Sequence, residues 1–164
     1  MEVTRLRIGL GYDIHPLVSG QPLVVGGVLL DSALGAAGHS DGDALFHAVV
    51  DACLSAAGLG DIGTLFPDTS EEWLGASGER LAVITRKKLL ALDFAPLDID
   101  TVVLLERPVI APHREAMQQN LARALGVHPD HVRVKGKRGE GLDSVGRGQA
   151  ISAHAVVLLG PAFA

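Results

Sequence analysis

Residues 39–58, HSDGDALFHAVVDACLSAAG, decide the fold of this chain. Ala44, Leu45, Ala48, Val49, Ala52 and Ala56 recur at helical spacing, Ser40 reads as the N-cap, and Asp41 and Asp43 fall in the first turn, where carboxylates suit the helix dipole. Gly58 and Gly60 stop the helix. Upstream lie two short strand-like runs, Arg5 to Ile8 and Leu23 to Val28; Gly26-Gly27 in the second suggest a bulge or a close backbone approach. Downstream, residues 59–76 read as an irregular loop, and Leu81, Ile84, Lys88 and Leu92 mark a second helix with Arg86-Lys87-Lys88 on its wet face. Asp98 to Glu106 becomes continuously apolar, as a buried strand does. Pro112 opens a third helix carrying Met117, Leu121, Ala124 and Leu125. Val132 to Lys135 is a short strand, Gly136 to Gly148 a loop rich in glycine and charge, and Ile151 to Leu159 a last strand with its odd-numbered residues on one face. The alternation describes a single mixed α/β (α+β) domain over residues 1–164, without internal repeat or linker.

Composition sets the bounds. A chain of 164 residues with 48% apolar and 20% charged content is globular and long enough to bury a real core. The net charge of -5 gives no basic footprint for nucleic acid. Cys53 is the only cysteine, which excludes an intramolecular disulfide and favours a reducing cytoplasm; its setting among alanines and valine reads as inert core. The first ten residues lack the apolar stretch of a signal peptide, and no apolar run approaches the roughly 18 residues that span a bilayer.

The chemistry concentrates in two places. Asp13 and His15 are two apart on an extended segment, so a carboxylate oxygen and an imidazole nitrogen point to the same face and suit adjacent corners of a tetrahedron. His47 lies four residues after Asp43 on the helix, so these two share a face, and either would complete or brace a site built by the strand. One Asp and two His with an open fourth position describe a zinc ion acting as a Lewis acid on phosphate or water. His39 and Ser40 precede the helix, where a phosphate or an ordinary cap would sit. Asp61, Gly63, Phe66 and Asp68 suit either a polyol pocket or an acidic surface turn. The 136–148 loop holds Lys137, Arg138, Glu140 and Arg147 among its glycines, which fits a diphosphate cradle and a solvated hairpin equally well.

Beyond spacing, GYDIH (11–15), VVGGV (24–28), HSDGDALFHAVVDACL (39–54) and LGDIGTLFPDT (59–69) resemble the 2-C-methyl-D-erythritol 2,4-cyclodiphosphate synthase family of the non-mevalonate isoprenoid pathway. ERPVIAPH (106–113) and GRGQAISAHAVVLL (146–159) extend the resemblance over essentially the whole chain. The resemblance implies an enzyme, a phosphorus-oxygen lyase, which cyclises 4-diphosphocytidyl-2-C-methyl-D-erythritol 2-phosphate and releases CMP. It implies a mixed sheet with helices packed on one face, in a cytoplasmic homotrimer whose sheets face a central axis and whose active sites lie between subunits. Asp13, His15 and His47 would ligate one Zn2+, and His39 with Ser40 would hold substrate phosphate. Asp61, Gly63 and the Phe66 to Ser70 stretch, Asp68 included, would line the methylerythritol pocket. Leu105 to Ala111 of a neighbouring subunit would supply backbone groups for the cytosine, and Glu140 would hold a second ion, Mg2+ or Mn2+, on the diphosphate.

Lys137, Ser144 and Arg147 complete the implied substrate-binding set, with Ser144 where an aromatic usually closes over the nucleotide and Ser70 where an acid is usual. Arg138 stands where a threonine helps stabilise the transition state; as a catalytic residue beside His39, it would donate to the diphosphate through its guanidinium. Arg147 lies near the trimer axis, where some members hold an isoprenoid diphosphate, and His154 replaces a glutamate there. Two other classes of function remain: a zinc-dependent phosphohydrolase, and a catalytically weakened homologue that binds zinc and nucleotide.

Overall fold

The computed structural model describes residues 5–162; the first four residues of the segment examined for a leader peptide lie outside the described residues. Strand β1 (Arg7–Ser19) runs without interruption through Asp13 and His15, well past the expected end at Ile8. Its odd positions are covered and its even positions exposed, the period-two pattern of a strand with one face against the core. A hairpin follows, made of β2 (Leu23–Val25) and β3 (Val28–Leu30). Gly26 and Gly27, with φ of 57° and 72°, form its two-residue turn in place of a bulge, because a tight hairpin needs positive φ at both central residues. Strand β4 (Leu34–Ala36) pairs with the end of β1.

Helix α1 (Ala44–Ala57) is buried nearly all round, as its composition requires. The cap is Asp43, which accepts the Phe46 N–H through its carboxylate, so Ser40 and Asp41 belong to the preceding loop and not to the helix start. The expected loop 59–76 contains a short helix α2 (Ile62–Leu65), capped by Asp61, and a 3-10 turn at Glu71–Trp73, capped by Ser70. Helix α3 (Gly78–Ala91) inserts Leu81, Ala82, Thr85 and Leu89 into the core and keeps Lys87 and Lys88 in water. Strand β5 (Phe94–Leu104) leads to a 3-10 turn at Ala111–His113, which takes up Pro112, and helix α4 then runs Arg114–Leu125. Strand β6 (Val132–Lys137), a short helix α5 (Asp143–Gly146) within the charged loop, and strand β7 (Ala150–Pro161) complete the fold.

The five-stranded sheet has the order β4-β1-β7-β5-β6. Only β5 and β6 are parallel, because α4 carries the chain back across the sheet between them. The sheet is therefore mixed, with α1, α3 and α4 on one face. Ile151, Ala153, Ala155, Val157 and Leu159 of β7 point into the core below them, on the single face that the alternation predicts. The opposite face carries Ile8, Leu10, Tyr12 and Ile14 of β1, exposed by 74%, 65%, 49% and 44%. Among the described residues, no layer of the chain lies upon that apolar face.

Candidate active site

Two glycines set how closely α1 approaches β1. A Cβ on Gly9 would run into the Ala52 carbonyl, and one on Gly11 into the Ala48 carbonyl, so the helix backbone rests directly on the strand. Two residues along a strand advance about 6.6 Å and four along a helix about 6 Å, so contacts repeat in step. One step beyond Gly11 on the strand, Asp13 meets His47, the residue just before Ala48 on the helix.

The meeting is tight. Asp13 Oδ2 lies 2.8 Å from His15 Nε2 and 3.1 Å from His47 Nδ1, and the two nitrogens are 3.2 Å apart. The edge of a tetrahedron around zinc with bonds of 2.0–2.1 Å is about 3.3 Å, so the three atoms occupy one triangular face of such a site and leave the fourth corner open. The tautomer supports the fit. His15 Nδ1–H donates to the Ala37 carbonyl at 3.0 Å, which in the neutral ring leaves a lone pair on Nε2 facing a carboxylate oxygen. A proton on that nitrogen or a metal ion between the two atoms relieves that contact. Among the described residues, Asp13, His15 and His47 are the one such group of potential ligands.

The far side of His47 is also held. Its Nε2 lies 3.1 Å from Ser40 Oγ and 3.5 Å from Asp41 Oδ1. Asp41 is fixed in turn by N–H bonds from Asp43 and Gly78, which tie the 38–42 loop to the start of α3. Burial works against ionisation of Asp13, yet hydrogen bonds from His15 and His47 outweigh it and bring its pKa down to about 2. Burial likewise disfavours the His47 cation, but its bonds to Asp13 and Asp41 overcome this and raise its pKa to about 9. A proton on His47 thus holds the site together until a metal displaces it.

Asp43 does not brace the metal corner, although it lies one turn from His47. Its carboxylate turns away to accept the N–H groups of Gly26 (2.9 Å), Gly27 (2.7 Å) and Phe46 (3.1 Å), locking the hairpin onto α1. Burial pushes its pKa up to about 6, against the pull of those donors. Asp41 is therefore the outer partner that the spacing argument missed. Its only signal in the sequence was a carboxylate beside the His39-Ser40 pair. Asp43 takes the first-turn N–H of Phe46, so His39 and Ser40 stand upstream of the cap and do not cap the helix themselves.

A cavity of about 420 Å³ opens over the metal corner and brings together Asp13, His15, His39, Ser40, His47, Gly63, Phe66 and Asp68. Trp73 joins its wall, stacked edge-on against Phe66 with centroids 4.9 Å apart and with the Arg80 guanidinium 5.1 Å from its ring. The Asp61 carboxylate is engaged elsewhere, accepting the N–H and hydroxyl of Thr64 at 2.7 Å each, and Ser70 Oγ accepts the Glu72 N–H. Both are caps of the pocket loop.

A second, smaller cavity of about 190 Å³ lies where β5 and β6 end, lined by Leu105, Val109, Ile110, Ala111, Gly136, Lys137 and Arg138. Arg138 is paired with Glu106, which lowers the carboxyl and raises the guanidinium pKa. Glu140 is exposed, with a positive φ of 53°, and lies outside the one cluster of potential metal ligands, so an ion there would take its other ligands from a bound molecule. Ser144 is half-buried on α5. Arg147 lines a groove of about 730 Å³ together with Arg138; Asp13, His15 and His47 are not among the residues that line it.

Fold and site define an α+β protein with three residues that could hold a metal ion at the mouth of a polar pocket, and a second pocket at the end of the parallel strand pair. The sequence profile of the YgbB family matches residues 6–160. The 2-C-methyl-D-erythritol 2,4-cyclodiphosphate synthase of Chromobacterium violaceum is 47% identical over 156 residues, which are 95% of this chain and 99% of that one. A solved 2C-methyl-D-erythritol-2,4-cyclodiphosphate synthase with CDP bound superimposes with a TM-score of 0.86 at 42% identity, covering 93% of this chain and 99% of that chain. The bifunctional IspDF of Campylobacter jejuni superimposes with a TM-score of 0.92 at 34% identity over 96% of this chain, which spans 43% of that longer one. The chain belongs to the YgbB family, the family of the 2-C-methyl-D-erythritol 2,4-cyclodiphosphate synthases.

Proposed function

We propose that this protein is the lyase that cyclises 4-diphosphocytidyl-2-C-methyl-D-erythritol 2-phosphate to 2-C-methyl-D-erythritol 2,4-cyclodiphosphate with release of CMP, a step of non-mevalonate isoprenoid synthesis. The observation that carries this reading is the convergence of Asp13, His15 and His47 at the mouth of the 420 Å³ cavity, in a chain 47% identical to a named cyclodiphosphate synthase. The metal is assigned as Zn2+, one per chain, from the donor set of two imidazoles and one carboxylate. When bound, it supplies Lewis-acid charge neutralisation to a phosphate oxygen.

The chain's own residues supply position. His39 and Ser40 stand on the pocket wall within reach of a phosphate group, and Gly63, Phe66 and Asp68 face the space for the polyol, with Asp61 and Ser70 holding that loop in shape. The 190 Å³ cavity accepts the cytosine, with backbone groups of Leu105 to Ala111 around the base and Lys137 beside the diphosphate. Glu140 would contribute one carboxylate to a Mg2+ or Mn2+ ion carried in with the diphosphate. Arg147 lines the adjoining 730 Å³ groove, and Ser144 on α5 is assigned to the nucleotide side with it. With both ends of the substrate held, an oxygen of its 2-phosphate forms a bond to the β-phosphorus while the bond from that phosphorus to the bridging oxygen breaks. The electron pair leaves with CMP. No protein nucleophile is needed, because fixing the two phosphates against each other supplies most of the advantage.

The assembly is assigned as a homotrimer with the exposed β1 face turned to the axis and each site shared between neighbours; the uncovered Ile8, Leu10, Tyr12 and Ile14 support it. A cytoplasmic setting suits the single buried Cys53, whose thiol pKa burial pushes up to about 12. No described helix is long and apolar enough to cross a membrane. The test is incubation with the diphosphocytidyl substrate: CMP release matched mole for mole by a cyclic diphosphate in the phosphorus NMR spectrum is the expected result. Free monophosphates in its place make the protein a phosphohydrolase, and binding without turnover makes it a weakened homologue.

A further inference from the structure

The β5–β6 ladder closes with Leu104 beside Lys137 and a last bond from the Leu105 N–H to the Lys137 carbonyl at 3.0 Å. Beyond it the two chain segments separate and become the walls of the small cavity, and no backbone pairing joins them. One side chain does. Glu106 Oε1 accepts from Arg138 Nε at 3.0 Å and Nη2 at 2.5 Å, and Oε2 accepts the Gly139 N–H at 3.0 Å. Three donors from the β6 exit thus converge on one carboxylate of the β5 exit. The guanidinium presents its Nε and Nη2 edge to that carboxylate, so its charge is already compensated and that edge already used. Lys137, next to it on the same wall, has no carboxylate partner among the described residues.

We infer that Arg138 is a positioning residue: the Glu106–Arg138–Gly139 strap sets the gap between the 105–111 and 136–140 segments and thereby the fit of the cytidine diphosphate moiety. This rests on reading that cavity as the nucleotide site. An arginine is needed because two nitrogens in a fixed plane must meet one oxygen edge while the next backbone N–H meets the other; an ammonium makes one such contact and a hydroxyl does not reach. The strap also forms the partition between the small cavity and the 730 Å³ groove, since Val109 and Arg138 line both. Its loss would merge the two spaces.

The experiment compares Glu106→Gln, Arg138→Gln, Arg138→Lys and the Glu106→Gln/Arg138→Gln double variant in the full-length protein. CDP affinity is read by calorimetry, KM and kcat by CMP release, and amide exchange of residues 138–141 by mass spectrometry without nucleotide. Metal content equal to wild type serves as the check of folding. The strap predicts that each single variant weakens CDP about ten-fold, raises KM with kcat nearly unchanged, and speeds exchange of the 138–141 amides. Arg138→Lys should fail to rescue, and the double variant should be no worse than either single one. Unchanged or tighter CDP binding by Glu106→Gln would overturn the inference, because a released guanidinium would then be meeting the diphosphate directly; additive losses in the double variant would overturn it as well. Should the wild type itself not bind CDP, the nucleotide reading fails, while amide exchange still reports on the strap by itself.

Discussion

The candidate metal corner and the proposed nucleotide corner of this protein are built by opposite means. In the first, the ligands stand on regular elements, Asp13 and His15 on β1 and His47 on α1, and two glycines bring those elements into backbone contact. The two imidazoles have fixed outer neighbours: the Ala37 carbonyl holds His15, and Ser40 and Asp41 hold His47. In the second, the walls are loops beyond the last ladder bond, and a half-exposed ion pair holds them. The difference teaches where each kind of control resides. A site that must hold three lone-pair donors at fixed distances around one cation needs a rigid frame to resist collapse or spreading. A site that must admit and release a nucleotide is better made of segments that can part.

The largest expected effect tests the rigid corner. His47→Ala removes a ligand and the proton that substitutes for the metal, and should leave neither bound zinc nor cyclisation; stoichiometric zinc in that variant, measured by elemental analysis, would break the ligand assignment. Next, Leu10→Glu puts a charge on the bare sheet face. It should convert the proposed homotrimer to smaller species in light scattering and lower turnover by about 100-fold, since the two corners would then belong to different molecules. A variant that stays trimeric and active would place the metal and nucleotide corners on a different interface.

The proton dependence follows in size. In the metal-free protein the raised His47 pKa stabilises the fold below about pH 6.5, and that contribution is lost as pH rises through about 9. Asp13, held down at about 2, contributes above its unfolded value near 3.8, and its share is lost as pH falls through 2. Metal must displace the His47 proton, so apparent zinc affinity should climb by up to ten-fold per pH unit between 6.5 and 9 and level off above. A flat affinity over that range in competition titrations would mean that His47 is not the proton's site. Smallest is Asp41→Asn, which keeps the shape but removes the outer charge on His47; zinc should bind about ten-fold more weakly, with the CDP affinity of the other corner unmoved.

The same contrast explains what could be seen in the sequence. Asp13, His15 and His47 were legible because period two on a strand and a long apolar helix fix which side chains share a face. The helix start was not. Ser40 has the composition of a cap, yet Asp43 takes the role because its carboxylate also meets Gly26 and Gly27, contacts from a distant hairpin that no local pattern encodes. The same distant pull removed Asp43 from the metal corner and left its place to Asp41. In the 136–148 loop the individual charges were visible, but the partner of Arg138 sits 32 residues away on another strand end. Residue types there announce charge, and only topology decides which charges meet.

The central claim is that one metal ion held by Asp13, His15 and His47 makes this chain a cyclodiphosphate synthase. The most direct measurement strips the protein of metal, titrates zinc back, and follows cyclic diphosphate by phosphorus NMR at each addition. Product formation should be absent at the start, rise in proportion to zinc, and break at one equivalent per chain. Full turnover in the metal-free protein, or a titration that ends in free monophosphates with no cyclic product, would contradict it.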